Sequence, residues 1–288
     1  MIDPRLGEYL ARIGLSAPPA PDPVGLAAVQ RAHRLTIAFE NLDIPLGRGI
    51  QIESDPVFAK LVRAQRGGYC FEQNRLLADM LALMGLPVRP LLARVWLLLP
   101  PGEVPPRTHT LLVADLAGEQ WIADAGFGGG FCPPLPLRHG VTVQSPDGGT
   151  HRLRRWGEPG SVEGEWVLER RPAATRNIAA RNIGVTDTGA DWQPQYSFDL
   201  AEVAPADLAA ANHWTSTRPG TRFTTLHVAS LVTPSGLAAL TDRTFTLTDG
   251  AAVTTRPAET AADWHAILTN TLGIALTLED VARLPLFT

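Results

Sequence analysis

Apolar residues recur at helical spacing through the first third of the chain, each time behind an Asp-Pro pair. Leu6, Leu10 and Ile13 follow Asp3-Pro4; Leu26, Val29 and Leu35 follow Asp22-Pro23; Asp55-Pro56 opens a third run. An aspartate can accept hydrogen bonds from the free N–H groups of a first turn, and proline fits the first helical position, so each pair predicts a helix start. A fourth run, Leu77, Met80, Leu81 and Met84, begins near Cys70 and closes at Gly85. The pair Gly67-Gly68 reads as the stop that ends the third helix before the fourth begins.

From Val88 the apolar period shortens toward two. Strands are predicted within 88–99, 108–116, 120–126, 151–156 and 164–170, with Pro100-Pro101-Gly102 and Pro105-Pro106 marking a loop. Short strands with turn signals between them predict a small antiparallel barrel or curled sheet. Residues 171–206 carry the weakest pattern, relieved by a strand-like stretch at 192–200. Beyond it the types mix: a helix at 207–214, strands within 222–233 and 236–255, and helices at 260–272 and 278–284. Thr260 with Asp263, and Thr277 with Asp280, have capping-box-like spacing.

The chemistry concentrates where the fourth helix begins. Cys70 stands in Arg66-Gly67-Gly68-Tyr69-Cys70-Phe71-Glu72-Gln73-Asn74, in the first turn of the helix. Unpaired N–H groups and the positive end of the macrodipole favour a thiolate there, and such settings can lower a cysteine pKa from about 8.5 to roughly 3.5–7.5. A buried structural thiol is the plain alternative. His109 begins one predicted strand, and Asp124 ends the next, after a short turn at Ala117-Gly118. Adjacent antiparallel strands place both at one sheet end, so Cys70, His109 and Asp124 form a candidate nucleophile, base and orienter.

With those words in hand the chain resembles the arylamine N-acetyltransferase family over nearly its full length. The Arg66–Asn74 word is the most specific; Ile37-Ala38-Phe39-Glu40-Asn41-Leu42-Asp43-Ile44, the His109 strand, Asp124-Ala125-Gly126-Phe127-Gly128-Gly129, and segments 3–15 and 212–223 agree with it in order. The resemblance implies an α+β fold: an N-terminal helical bundle (1–86) carrying the cysteine, a central antiparallel β-barrel (87–200) carrying His109 and Asp124, and a C-terminal α/β lid (201–288), with a cysteine-protease-like triad arrangement. It also implies acetyl-CoA as co-substrate and a ping-pong transfer, through a Cys70 thioester, to a small arylamine or hydrazine. Thr108, Gly128 and Trp214 match positions near the coenzyme, and Phe127 and Val95 match positions near the acceptor. Glu40 and Arg66 are expected to pair, and Asn74 to hold Asp124. From the triad alone, a thiol hydrolase or a ligand-binding module on the same scaffold stays open, and the acceptor amine and the acyl-donor chain length are not specified.

Composition narrows the partners. The 288 residues include 45% hydrophobic and 19% charged positions, as in an ordinary globular protein. A net charge of −4 gives no reason to expect nucleic acid or an anionic membrane. The stretch 91–99 is interrupted by Arg94 and too short for a bilayer, and Asp3 and Glu8 argue against a signal peptide. Two cysteines exclude a disulfide framework and fit a cytoplasmic enzyme, with the state of Cys132 open. His109, His139, His151, Cys70 and Cys132 lack metal-ligand spacing, so no metal is expected.

Overall fold

The computed structural model describes residues 3–97, 99–100, 102–173 and 192–287. Two of the Asp-Pro pairs act as their chemistry suggests. Asp3 accepts from Arg5 N and Asp22 from Gly25 N, each at 2.8 Å, opening α1 (Pro4–Arg12) and α2 (Pro23–Thr36). The third pair does not. Helix α3 (Ser54–Phe58) starts earlier, with Glu53 as N-cap and Asp55 inside the first turn, and runs on into a π-helical turn at Ala59–Arg63.

The glycine pair also has a different use from the one expected. The turn ends at Ala64, and Gln65 takes the left-handed conformation (φ 50°), so the helix has stopped before the glycines. Gly67 and Gly68 instead permit close approach: a Cβ at Gly67 would lie 2.3 Å from Ala38 O, and one at Gly68 would lie 2.8 Å from the Glu72 carboxylate. The backbone there pairs with β1 (Phe39–Glu40) through Gly68 N to Ala38 O (3.2 Å) and Glu40 N to Gly68 O (3.1 Å). Helix α4 (Cys70–Leu83) follows at once.

Eight strands build the central sheet: β2 (Val88–Val95), β3 (Arg107–Leu116), β4 (Glu119–Ala123), β5 (Leu135–Pro136), β6 (Thr142–Gln144), β7 (Thr150–Arg155), β8 (Trp166–Arg171) and β9 (Gln193–Phe198). Their order is β5-β4-β3-β2-β9-β8-β7-β6, with every pairing antiparallel. The two edge strands are joined by only residues 137–141, so the sheet curls nearly into a barrel. Period two divides its faces. Leu111 and Val113 point inward with Leu91, Leu153, Leu168 and Tyr196, whereas Leu112, Ala114 and Leu116 pack on Tyr9, Leu77 and Leu81 of the helices. Strands β5 (two residues) and β6 (three, polar-flanked) are too short to show in the sequence pattern, and β2 stops at Val95, short of residue 99.

The last region holds α5 (Pro205–Thr217), α6 (Arg222–Thr225), β10 (Val228–Thr233), β11 (Gly236–Thr241), β12 (Thr244–Asp249), β13 (Ala252–Pro257), α7 (Ala261–Ala266) with a π-helical turn at Ile267–Thr271, and α8 (Leu278–Ala282). Residues 222–225 are helical rather than extended, because threonine hydroxyls satisfy the local backbone: Thr225 Oγ1 donates to Thr221 O at 2.7 Å and Thr224 Oγ1 accepts from Thr221 N at 3.2 Å. Thr260 and Thr277 cap α7 and α8 through Asp263 N and Asp280 N, both at 3.1 Å.

A second sheet, ordered β1-β10-β11-β12-β13, takes its edge strand from the helical region, with Phe39 opposite Ser230. Asn41 strengthens that seam, donating to Phe223 O (2.9 Å) and Leu226 O (2.8 Å) and accepting from Val228 N (2.8 Å). Leu208 and Ala211 of α5 pack with Phe39, Tyr69, Cys70 and Phe71, so α5 covers the start of α4. Among the described residues no helix is long and apolar enough to cross a membrane.

Candidate active site

Cys70 is the first residue of α4, and Tyr69 is its N-cap in extended conformation. Glu72 Oε2 accepts Tyr69 N at 3.0 Å and fixes that turn. The thiol is buried and lies 3.8 Å from Thr108 O. Gly126 lies against the Cys70 backbone, where a Cβ would come within 2.5 Å of the Cys70 Cα. The expected lowering of the thiol pKa does not occur in this environment. Burial pushes Cys70 up, the Asp124 charge adds to the rise, and backbone N–H donors at Thr110 and Phe71 offset only part of it. The helix start is present, but desolvation outweighs it.

His109 and Asp124 meet directly. His109 Nε2 is 2.8 Å from Asp124 Oδ2, and both side chains are buried. Strand register explains the meeting: Leu112 pairs with Ala123 across β3 and β4, so His109 and Asp124 leave the paired region at the same end. The other oxygen, Asp124 Oδ1, accepts from Asn74 Nδ2 (3.0 Å), Gly126 N (2.8 Å) and Phe127 N (3.1 Å). Burial works against the carboxylate, yet the His109 interaction and these donors together hold it below the usual range. An ionised Asp124 only accepts, so Nε2 carries the imidazole proton and Nδ1 remains for another partner. Among the described residues the thiol donates toward the Thr108 backbone carbonyl, while the Thr110 and Phe71 N–H groups face its sulfur.

The other sequence-derived positions divide. Phe127 stands edge-on to His109 (centroids 5.1 Å apart) and to Tyr196 (5.0 Å). Val95 ends β2 opposite Tyr196, half-buried. Thr108 supplies the carbonyl beside the thiol. Gly128 packs on the Phe39 ring, which a Cβ would approach to 3.0 Å, whereas Gly129 (φ 127°) faces open space. Trp214 is 36% exposed on α5, with the Arg218 guanidinium 5.3 Å from its ring. Cys132 is a free, half-buried thiol that burial pushes up.

Several buried polar residues around the site were not singled out from sequence. Gln30 Nε2 donates to Asp124 O (3.1 Å) and Cys132 O (2.7 Å), and its Oε1 accepts Asp124 N (3.2 Å). Arg34 donates to Ala125 O (3.1 Å), Phe127 O (3.2 Å) and Gly129 O (3.1 Å). Burial lowers its pKa to about 10, still a cation at neutral pH. Gln73 Nε2 donates to Ala38 O (2.7 Å) and Gly68 O (3.1 Å), and its Oε1 is 2.6 Å from His33 Nε2. The readable signal was polar residues at inward helical positions, since Gln30, His33 and Arg34 continue the face of Leu26 and Val29.

The expected Glu40–Arg66 pair is present (2.8 Å) and belongs to a longer chain of charges. Arg66 also reaches Asp43 Oδ1 (3.0 Å), and Lys60 bridges Asp43 Oδ2 and Glu72 Oε1, each at 2.7 Å. The chain ends at the cap of α4. Among the described residues no group of three or more His, Cys, Asp and Glu side chains could hold a metal.

A buried thiol at a helix start, beside a His–Asp pair on a barrel-like sheet, places the protein in the cysteine-protease-like fold class. Residues 24–281 match the N-acetyltransferase family. The arylamine N-acetyltransferase of Escherichia coli (strain K12) is 36% identical over 276 residues, covering 95% of this chain and 90% of the relative. The arylamine N-acetyltransferase structure from Salmonella typhimurium superposes with a TM-score of 0.86 at 31% identity, covering 99% of this chain and 98% of that one. The Mycobacterium marinum arylamine N-acetyltransferase structure in complex with CoA gives 0.82 at 30% identity, over 97% and 98%. The chain belongs to the arylamine N-acetyltransferase family and is an acyltransferase.

Proposed function

We propose that this protein moves an acetyl group from acetyl-CoA to arylamine and arylhydrazine acceptors through a thioester on Cys70, by a ping-pong mechanism in the cytoplasm. The observation that carries the reading is the 2.8 Å His109 Nε2–Asp124 Oδ2 contact, made where Thr108 O meets the Cys70 thiol. It leaves His109 Nδ1 as the proton acceptor. Burial disfavours an isolated thiolate, so the Cys70 proton passes to His109 as sulfur attacks, and Asp124 stabilises the imidazolium. Sulfur adds to the thioester carbonyl, the tetrahedral intermediate collapses, and coenzyme A leaves with the proton. The amine then attacks the Cys70 thioester, His109 takes a proton from nitrogen, and collapse to the amide returns it to the Cys70 sulfur.

Three regions share this work on the proposed reading. Residues 1–86 bring the nucleophile, 87–200 bring His109 and Asp124, and 201–288 cover the site. Phe127 and Val95 would border the acceptor; Thr108, Gly128 and Trp214 would border the coenzyme. An arylamine is unprotonated at neutral pH and can stack on Phe127, which favours it over aliphatic amines.

Intact-mass measurement tests the reading. Acetyl-CoA is expected to add one acetyl group, absent in Cys70→Ala and discharged faster by an arylamine than by water. Acetylation that persists in Cys70→Ala, or that maps to Cys132, overturns the assignment. Discharge by water alone makes the protein a hydrolase instead.

A further inference from the structure

The segment that follows Asp124 contains three consecutive glycines, Gly128-Gly129-Gly130, immediately after the Phe127 ring that stands against His109. Glycine has the widest conformational freedom of any residue, so such a run does not hold an aromatic wall in place by itself. Its two halves are anchored differently. Asp124 and Ala125 are tied to Gln30, to Asn74 and to His109. Phe127 N donates to Asp124 Oδ1 (3.1 Å), but among the described residues the carbonyls Phe127 O and Gly129 O each accept one hydrogen bond, and both come from Arg34.

Arg34 is built for that task. It is 3% exposed, and among the described residues no carboxylate makes an ion-pair contact with it, the Asp124 charge favouring its cation from beyond contact distance; its guanidinium reaches Ala125 O, Phe127 O and Gly129 O at 3.1–3.2 Å. Burying a guanidinium without a paired carboxylate is unfavourable unless hydrogen bonds satisfy it, and here loop carbonyls do so. The planar fork fixes three acceptors in one geometry, which the single ammonium of a lysine cannot reproduce.

We infer that Arg34 is a positioning residue that sets the acceptor preference of this site, by clamping Phe127 and the glycine run into a fixed wall for an aromatic amine. The inference rests on the reading of function above. Cys70, His109 and Asp124 keep their other anchors when Arg34 is lost. Acylation of Cys70 is therefore affected less than transfer to a bulky acceptor, and a small nucleophile such as hydrazine has no need of the wall.

The test uses the full-length protein acetylated with acetyl-CoA, and compares deacylation by 4-anisidine with deacylation by hydrazine. In Arg34→Met the anisidine-to-hydrazine rate ratio is expected to fall about tenfold or more, since a displacement near 1 Å can lower a rate by up to about a hundredfold. Arg34→Lys should fall between it and the parent. The ratio is read per acetylated enzyme, so a variant that is only partly folded still reports. A ratio within about twofold of the parent overturns the inference, as does a loss equal for both nucleophiles. Amide hydrogen exchange supplies an arm that needs no activity: a peptide spanning 122–132, which reports the Gly126 and Phe127 amides held on Asp124 Oδ1, should exchange faster in Arg34→Lys, while one spanning 110–116 is unchanged. Unaltered exchange at 122–132 overturns the clamp. If acetyl-CoA leaves the parent protein unmodified, the proposed function fails and the exchange arm alone decides the clamp.

Discussion

Asn74, one helical turn beyond Cys70, donates to Asp124 Oδ1 at 3.0 Å and accepts Ala125 N at 2.9 Å. The same amide donates to Thr110 O at 2.6 Å. One side chain on the nucleophile's helix thus ties the carboxylate, the loop behind it and the histidine strand together. Removing it leaves buried polar groups without partners, worth about 1–3 kcal/mol each. Asn74→Ala should lose stability of that order in urea unfolding and lose a larger factor in turnover. An unchanged rate in the folded variant removes Asn74 from the site.

Asp124→Asn separates charge from shape. Oδ1 accepts three donors and Oδ2 faces His109, so an amide must turn its NH2 toward donors on one side or the other. Facing His109, it stabilises the wrong tautomer; the expected loss in turnover is up to about 10⁴-fold with near-native circular dichroism. His109→Gln should slow iodoacetamide alkylation of Cys70 at neutral pH, because burial disfavours the thiolate and the variant lacks the imidazole that would take its proton. Alkylation at the parent rate in folded His109→Gln would show that the histidine does not activate the thiol.

Glu40 and Arg66 form a buried contact, with Arg66 Nε and Nη2 both donating to Glu40 Oε1 at 3.0 and 2.8 Å, while Oε2 accepts Leu42 N. Stranding either partner of such a pair can cost about 3–5 kcal/mol. Glu40→Gln and Arg66→Met should each be strongly destabilising in urea, and the double variant less so than their sum. Additive losses would mean that the two charges do not support one another.

Acid sensitivity follows from two buried histidines. His33, between Tyr9 Oη (2.9 Å) and Gln73, is held down to about 4 by burial; His151, on Ser145 Oγ (2.7 Å), is held down to about 3 by burial and the nearby Arg170 charge. The unfolded chain binds these protons near 6.5, so between that pH and the folded values protonation favours unfolding. Stability should decline as pH falls below about 6.5, by roughly 1.4 kcal/mol per pH unit for each histidine on the linkage scale. Glu72 acts in the opposite sense: burial raises it to about 7, so its contribution is lost as pH rises from its unfolded value toward 7. Thermal unfolding from pH 7.5 to 4.5 measures the net effect, and His151→Asn should flatten the acid side. An unchanged slope in that variant would exclude His151 as a source.

Local chemistry was the legible part. The Asp-Pro starts of α1 and α2, the helix beginning at Cys70, the alternation in β3 and the Thr caps of α7 and α8 all depend on residues within a few positions of one another. Where the reading went astray, a distant partner intervened. Gly67 and Gly68 are small because Ala38 O and Glu72 press on them, and β5 and β6 are strands only through their pairing with β4 and β7.

The sequence by itself determined which residue types stand at the helix start, on the histidine strand and before the glycine run, and its family words named the class of chemistry. Tertiary structure decided that β3 and β4 bring His109 Nε2 onto Asp124, that α4 reaches across through Asn74, and that α2 turns Gln30 and Arg34 inward to hold the loop. It also decided the state of the thiol. A helix N-terminus acts within one turn and favours the anion, but burial among Tyr69, Phe71 and Val228 beside the Asp124 charge is a property of the packed fold, and there desolvation is the larger effect.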